Sequence, residues 1–359
     1  MAADTPASFL LYGAYGYTGE LIAREAAARG LRPLLAGRDP GRLGALGEAT
    51  GLPWRAFDLA DGAALRETLA GAPAVLHCAG PFVHTYRPMV EACLERRVHY
   101  LDITGEAAVF TALADLGPRA AAAGVTLLPG AGFDVAPSDC LAAHLKRRLP
   151  GATQLTLAFR PDAAPSRGTA ATMAEHAHEG GLVRRDGMLV RVPVAWRTRQ
   201  VDFGDGPQPA VTIPWGDVVT AWYTTGIPNI EVYAAMPERV IRRLRRSRPL
   251  VRLLGLAPLR RLAASRARRR PPGPSAEKLE RGETRLWGEV RDAASGEVAA
   301  ARQRGPQAYR WTVLTALAAV QRVAAGEVKP GFTTPAGAFG ADFVLGVGVE
   351  REDLTPSPR

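Results

Sequence analysis

Three glycines, Gly13, Gly16 and Gly19, recur at every third position in GAYGYTG, directly after an apolar run. A turn from strand to helix built on glycines lets the backbone approach an anion and aims main-chain N–H groups at a phosphate. Gly13 suits the tight turn, Gly16 the approach of a pyrophosphate and Gly19 close packing of the helix. Tyr15, Tyr17 and Thr18 are placed to cover or hydrogen-bond the phosphates. The second glycine falls one residue later than in G-x-G-x-x-G, but the required context of strand, turn and helix is present. Further on, LLAGRDPGRL sets Arg38 at the end of the second apolar run. An arginine there offers a planar fork to the 2′-phosphate of NADP, whereas an acid would take the ribose 2′-OH of NAD. Asp39 is the competing acid, yet Asp39-Pro40 also reads as a helix N-cap followed by proline at the first helical position. That capping role favours NADP(H). Asp58, in RAFDLAD, is expected either at the adenine edge or as a turn residue. In HCAGPF, residues Ala79, Gly80 and Pro81 are expected to bend across the nicotinamide ribose, with Phe82 beside the reacting ring.

Hydride transfer also calls for a proton source. The Tyr-x-x-x-Lys arrangement is absent, and the six histidines show no metal spacing, so no metal is expected. Two loops are placed at the C-terminal ends of strands, where open α/β sheets bind ligands. They are YLDITGE (100–106) and GAGFDVAPSD (130–139). Asp134 is the first candidate for a polar group facing substrate, with His84 and Tyr86 as alternative donors and water as a third. Thr104 is placed with the cofactor, while Asp102 and Glu106 fit the nicotinamide ribose, the orientation of the other loop or a structural role alike. Ser138 and Asp139 read as caps of a helix over 139–148. His176 and His178, two apart on a helix, face different ways and make a poor metal pair. Tyr223 and Asn229 fit either the substrate side or ordinary sheet packing.

These residues need a scaffold, and the pattern of the chain supplies one. Over 9–129, short apolar runs at 9–12, 33–37, 54–57, 74–79, 98–101 and 125–129 alternate with helical stretches near 18–29, 40–49, 61–70, 84–96 and 107–123. Such alternation predicts a doubly wound parallel sheet. After residue 150 the pattern changes. β-branched and aromatic runs broken by Gly, Pro and Asp, including AVTIPWGDVVTAWYTT, predict an antiparallel sheet. Residues 306–325 predict a long helix opened by Pro306. The expected organisation is a nucleotide-binding domain over 1–145 completed by 305–345, an inserted α+β region over 150–304, and a flexible tail over 346–359.

Of 359 residues, 47% are hydrophobic and 22% charged, a globular composition without the run of about 18–20 apolar residues that a membrane-spanning helix needs. Three scattered cysteines fit neither a disulfide framework nor zinc, and the first residues carry no leader pattern, which reads as cytoplasmic. The net charge of +10 is local. Residues 239–270 hold 13 arginines and no acid; outside them 32 basic residues face 35 acidic ones. A general nucleic-acid binder is therefore not expected. One basic amphipathic element is, suited to an anionic membrane surface, and so to peripheral attachment, or to an acidic acyl carrier.

Taken in order, GAYGYTGELIA, LAGRDPGRL, CAGPF, VEACLERRVHYLDITGE, AAAAGVTLLPGAGFDVAPSD and the late TPAGAFG resemble the saccharopine dehydrogenase-like family, and most of all its branch of trans-acting enoyl reductases. The resemblance implies a Rossmann domain with an inserted α+β substrate and dimerisation domain, a C-terminal helix returning to the first domain, and homodimers. It carries nucleotide roles onto Gly13, Gly16, Gly19, Arg38 and Gly80. The chain lacks a counterpart of the basic cluster that would clasp an amino-diacid. That leaves an NADP(H)-dependent oxidoreductase acting on an unsaturated lipid or polyketide-type acyl substrate as the expectation. A saccharopine- or opine-type dehydrogenase and a membrane-associated NADP(H)-binding protein without turnover are the alternatives.

Overall fold

The computed structural model describes residues 8–160, 165–251 and 271–355, together with residues 256, 258, 259, 262, 265, 266 and 269. Six short strands open the chain: β1 (Leu10–Tyr12), β2 (Leu34–Gly37), β3 (Trp54–Ala56), β4 (Ala74–His77), β5 (His99–Asp102) and β6 (Thr126–Leu128). They pair in parallel in the order β3-β2-β1-β4-β5-β6. Alternate residues of a strand point to opposite faces, and here both faces are apolar. Leu11, Leu35, Leu76, Leu101 and Leu128 enter one core cluster. Leu10, Ala36, Val75, Tyr100 and Leu127 enter another. Burial on both sides explains why these strands read as continuous apolar runs. The stretch expected as one helix over 107–123 is two, Ala107–Asp115 and Gly117–Ala123. The break falls where Pro118, in the first turn of the second helix, cannot donate to the preceding turn.

The second sheet contains β7 (Gln154–Arg160), β8 (Gly181–Arg185), β9 (Met188–Val192), β10 (Thr198–Asp202), β11 (Pro207–Thr212), β12 (Asn229–Ala235), β13 (Glu283–Arg291) and β14 (Val298–Pro306). It is mixed, not antiparallel throughout, because β12 runs parallel to β7 while the other pairs are antiparallel. Part of the predicted β pattern is also a helix, Asp217–Thr225, with Val218, Val219 and Ala221 fully buried. Burial of that face outweighs the strand preference of its β-branched residues.

The chain then returns to the first domain. Pro306 ends β14; it does not open the next helix. Gln307 caps that helix, Ala308–Ala324, with its side chain accepting from Tyr309 N at 2.7 Å. The helix packs beside helix Tyr17–Ala28 and over β4 and β5, with Trp311 fully buried. β15 (Gly331–Phe332) adds to the outer edge of β6. The expectation of a flexible tail over 346–359 is corrected as far as residue 355, and 356–359 lie outside the described residues. β16 (Glu350–Leu354) extends the second sheet against β14, and His144 Nε2 lies 2.7 Å from Asp353 Oδ1. The strand's polar residues ion-pair across the ladder, as in Arg304–Glu350 at 2.8 Å, which a reading for apolar periodicity does not register.

Candidate active site

In this sheet order β1 lies between β2 and β4, the place where a doubly wound sheet opens a crevice at the carboxyl ends of its strands. The glycine turn fills that crevice. Gly13 has φ +81°, a left-handed backbone that side chains disfavour, and a Cβ there would stand 2.9 Å from Ala79 N. A Cβ on Gly19 would reach 2.3 Å from Gly13 O, so the helix can meet the turn only without one. Gly16 is the N-cap of helix Tyr17–Ala28 and lends no side-chain hydrogen bond, which leaves the positive end of a 12-residue helix for an anion. Thr18 sits half-buried in the first turn. The Tyr17 hydroxyl donates to Pro274 O at 2.8 Å, and its ring meets the Tyr309 ring edge-on at 5.1 Å. Tyr17 thus ties the turn to the segment that follows the basic region.

At the end of β2, Asp39 caps helix Pro40–Thr50, accepting from Arg42 N at 3.1 Å. Its carboxylate is engaged as the capping argument anticipates. Arg38 is 71% exposed, with Asp58 Oδ2 at 3.9 Å from its Nε, so its guanidinium fork is open to solvent. Asp58 accepts from Ala60 N at 2.9 Å, the bond of a turn-forming residue. Tyr15 lies flat against Gly37, where a Cβ would come within 2.5 Å of Cε1. Its hydroxyl accepts from Arg38 N at 3.2 Å, and the Arg42 guanidinium stacks 4.5 Å from its ring centroid. Arg42 is a second cation beside Arg38 that the sequence pattern left unmarked. An uncapped helix terminus, a turn that excludes side chains and an arginine pair fit a phosphorylated dinucleotide.

At the ends of β4, β5 and β6 lies a titratable cluster. The Gly80–Pro81 bond is cis, and helix Phe82–Arg96 begins immediately after it. Glu106, buried, caps this helix from another loop: its carboxylate accepts from Phe82 N at 2.6 Å and Val83 N at 2.9 Å. His176 Nε2 lies 3.3 Å from Glu106 Oε2, and its Nδ1 lies 2.7 Å from Glu179 Oε1. The bond to Glu106 first, then that to Glu179, raises the imidazole pKa to about 9. Asp102 accepts from Tyr100 Oη, Thr104 N and Gly130 N at 2.7–3.0 Å, and burial still lifts it to about 6. Asp134 lies against Gly105, where a Cβ would come 2.9 Å from its Oδ2. Burial, then the charge of Glu106, pushes Asp134 to about 7. Asp217, fully buried at the start of its helix, is raised as well, chiefly by burial.

The structure brings Asp134 into this cluster but not the other proposed donors. His84 is exposed, 3.7 Å from Glu175 Oε1, and Tyr86 is buried among the apolar side chains below Phe82. Thr104 is fully buried and accepts from Glu106 N at 3.1 Å, so it shapes the loop instead of facing a ribose. Ala79 gives its carbonyl to Thr85 Oγ1 at 2.6 Å, whereas Gly80 is exposed. Ser138 and Asp139 do not cap their own helix, which starts at Ala136. Ser138 bonds Val135 O, and Asp139 accepts from Thr224 Oγ1 at 2.5 Å and Ala336 N at 2.8 Å, joining three helices. Asn229 holds Asp186 N and Thr153 O in place, and Tyr223 packs on Phe332. Among the described residues no group of His, Cys, Asp and Glu is arranged for a metal, and no helix is long and apolar enough to cross a membrane.

Over 216 residues the chain is 32% identical to the trans-acting enoyl reductase of Mycobacterium ulcerans (strain Agy99), covering 56% of this chain and 52% of that protein. It is 26% identical over 221 residues to the saccharopine dehydrogenase-like oxidoreductase of Homo sapiens, covering 56% and 47%. The chain thus spans about half the length of these relatives. The solved structure of apo histidine-tagged saccharopine dehydrogenase (L-Glu forming) from Saccharomyces cerevisiae superposes with a TM-score of 0.65 at 12% identity, covering 97% of this chain and 99% of that one, a likeness of fold. Residues 9–128, which carry the glycine turn, Arg38, the Gly80–Pro81 bend and the Asp102–Glu106 loop, match the family model of the saccharopine dehydrogenase NADP binding domain.

Proposed function

We propose that the protein is an NADPH-dependent reductase of an unsaturated acyl substrate, an enoyl thioester in its simplest form. NADP(H) lies along the crevice, its pyrophosphate at Gly13–Gly19 and its 2′-phosphate on Arg38 with Arg42 alongside. The other half then extends toward β4 and β5, because the strand order reverses at β1. Bound there, the cofactor supplies a hydride. The observation that carries the choice of substrate is the set of titratable groups at that end. Beside Phe82 stands Glu106, with Asp134 and Asp102 coupled to it, and the His176 imidazolium on Glu106 is the one cation that the described residues show facing these three carboxyl groups. With one imidazolium among three carboxyl groups, the site offers a substrate of two or three carboxylates too few cations to pair with, whereas a neutral thioester needs none. The name of the mycobacterial relative supports the same class. The proton comes from Asp134, from another titratable group of this cluster, or from water.

The basic element belongs to this reading as the docking face for an anionic surface on which an acyl substrate is presented. Arg239, Arg242, Arg243 and Arg246 line the exposed side of helix Glu238–Arg246, and among the described residues none pairs with an acid. Ile241 and Leu244 pack inward on Val194, Ala195 and Val211. Leu256, Leu259 and Leu262 are exposed, and most of 252–270 lies outside the described residues. Homodimerisation through the inserted sheet is part of the same proposal.

The test is NADPH consumption with a panel of enoyl thioesters, 2-keto acids with amino donors, and acyl thioesters lacking the double bond. Turnover confined to the enoyl thioesters is expected. Turnover with keto acid and amine would replace this reading by an opine-type dehydrogenase, and tight NADPH binding without any turnover would make the chain a binding protein.

A further inference from the structure

Sequence spacing sets His176 aside as one half of a poor metal pair, but the structure gives it another part. We infer that His176 is the proton donor of this site, delivering its Nε2 proton into the space beside Phe82. The inference rests on the reductase reading above. Helix Arg167–His176 comes from the inserted domain and lies over the Gly80 bend, with Thr172 Oγ1 3.8 Å from the place a Gly80 Cβ would occupy. Its last residue, His176, reaches Glu106, which also holds the N–H groups of Phe82 and Val83. One carboxylate therefore fixes the imidazole relative to the bend at the nicotinamide end. The two ring nitrogens are held unequally. Nδ1 is bonded at 2.7 Å to Glu179, which is itself paired with Arg191 at 3.0 Å, while Nε2 stands 3.3 Å from Glu106. Nε2 carries the looser proton. The His176 side chain keeps 23% of its surface exposed against 3% for Glu106, so it can be reprotonated from solvent.

The other titratable groups near it are Asp134 and Asp102, coupled to Glu106, and Glu175 on its own helix, 3.7 Å from His84 of helix Phe82–Arg96. The carboxylates favour the imidazolium. When a hydride reaches the β-carbon of an enoyl thioester, the π pair moves to the α-carbon and takes the Nε2 proton. The N–H bond breaks, a C–H bond forms, and the imidazole is left neutral with its Nδ1–H on Glu179. Glu106 and Glu179 are positioning residues. They keep the ring charged and oriented before transfer, which matches a general acid to work near neutral pH.

The experiment has two arms. In the first, imidazole signals of the cofactor-free protein are titrated by NMR, with His176→Gln to assign the signal. His176 is expected to titrate near 9 and to fall toward the ordinary histidine range in Glu106→Gln. Titration in the ordinary range in the wild type overturns the proposal. In the second arm, His176→Gln lowers kcat roughly 100-fold or more with the NADPH Kd unchanged, and His178→Gln leaves both alone. An unchanged kcat in His176→Gln overturns the donor assignment while the reductase reading stands. A wild type that consumes NADPH with no enoyl thioester overturns both.

Discussion

Arg38 and Asp39 are neighbours with opposite implications for the cofactor, and their surroundings separate them: the acid is spent on a helix cap and the guanidinium is left open. Replacing Arg38 by alanine is expected to weaken NADPH roughly tenfold or more, the worth of a charge-assisted phosphate contact, while NADH binding hardly changes. Fluorescence titration with both nucleotides checks this, and equal losses would contradict it. The raised groups make a second prediction. Asp134 holds its proton to about pH 7 in the fold, above its unfolded value, and His176 to about pH 9. In both windows the folded state binds more protons than the unfolded chain, so stability falls as pH rises. Asp134→Asn should flatten the dependence of Tm on pH between about 4 and 7, and His176→Gln that between about 6.5 and 9. A steeper dependence in either variant would contradict the assignment. The glycines and Arg38 are legible in sequence because their roles are local. The Glu106–His176 contact spans 70 residues and joins two domains, so no spacing rule exposes it.

At the scale of elements, the first domain is legible because its central strands are buried on both faces and the helices between strands carry an apolar side. Gly13 shows how tightly the turn is specified. Gly13→Ala adds a left-handed alanine, costing about 1–2 kcal/mol from the backbone alone, and sets a methyl against Ala79 N. A lower Tm together with loss of NADPH binding is expected from thermal unfolding and titration; a variant that binds NADPH normally would contradict the role of the turn. Where reading by pattern misleads, tertiary contacts decide. Asp217–Thr225 has strand-like composition but lies between the Ala136–Arg148 helix and β12, where a helix buries more. β16 is polar because it forms an edge strand, tied by ion pairs such as Arg302–Glu352 at 3.0 Å.

For the whole molecule, function depends on how the inserted domain meets the nucleotide domain. Contacts near the candidate site include Tyr17 with Pro274, Glu106 with His176 and Asp139 with Thr224. The basic helix packs on Val194, Ala195 and Val211, none of them in the nucleotide turn, so its arginines can be changed without touching that turn. Changing Arg239, Arg242, Arg243 and Arg246 together to glutamate should abolish sedimentation with phosphatidylglycerol vesicles and leave NADPH affinity intact. Unchanged sedimentation, or none in the wild type, would remove the membrane from this picture. The most direct test of the central claim uses NADPH deuterated at the transferable position of the nicotinamide C4, together with an enoyl thioester. Mass spectrometry of the product is expected to find one deuterium in a saturated thioester, with loss of label in Gly13→Ala. Recovery of unlabelled, unreduced thioester beside intact NADPH would contradict it.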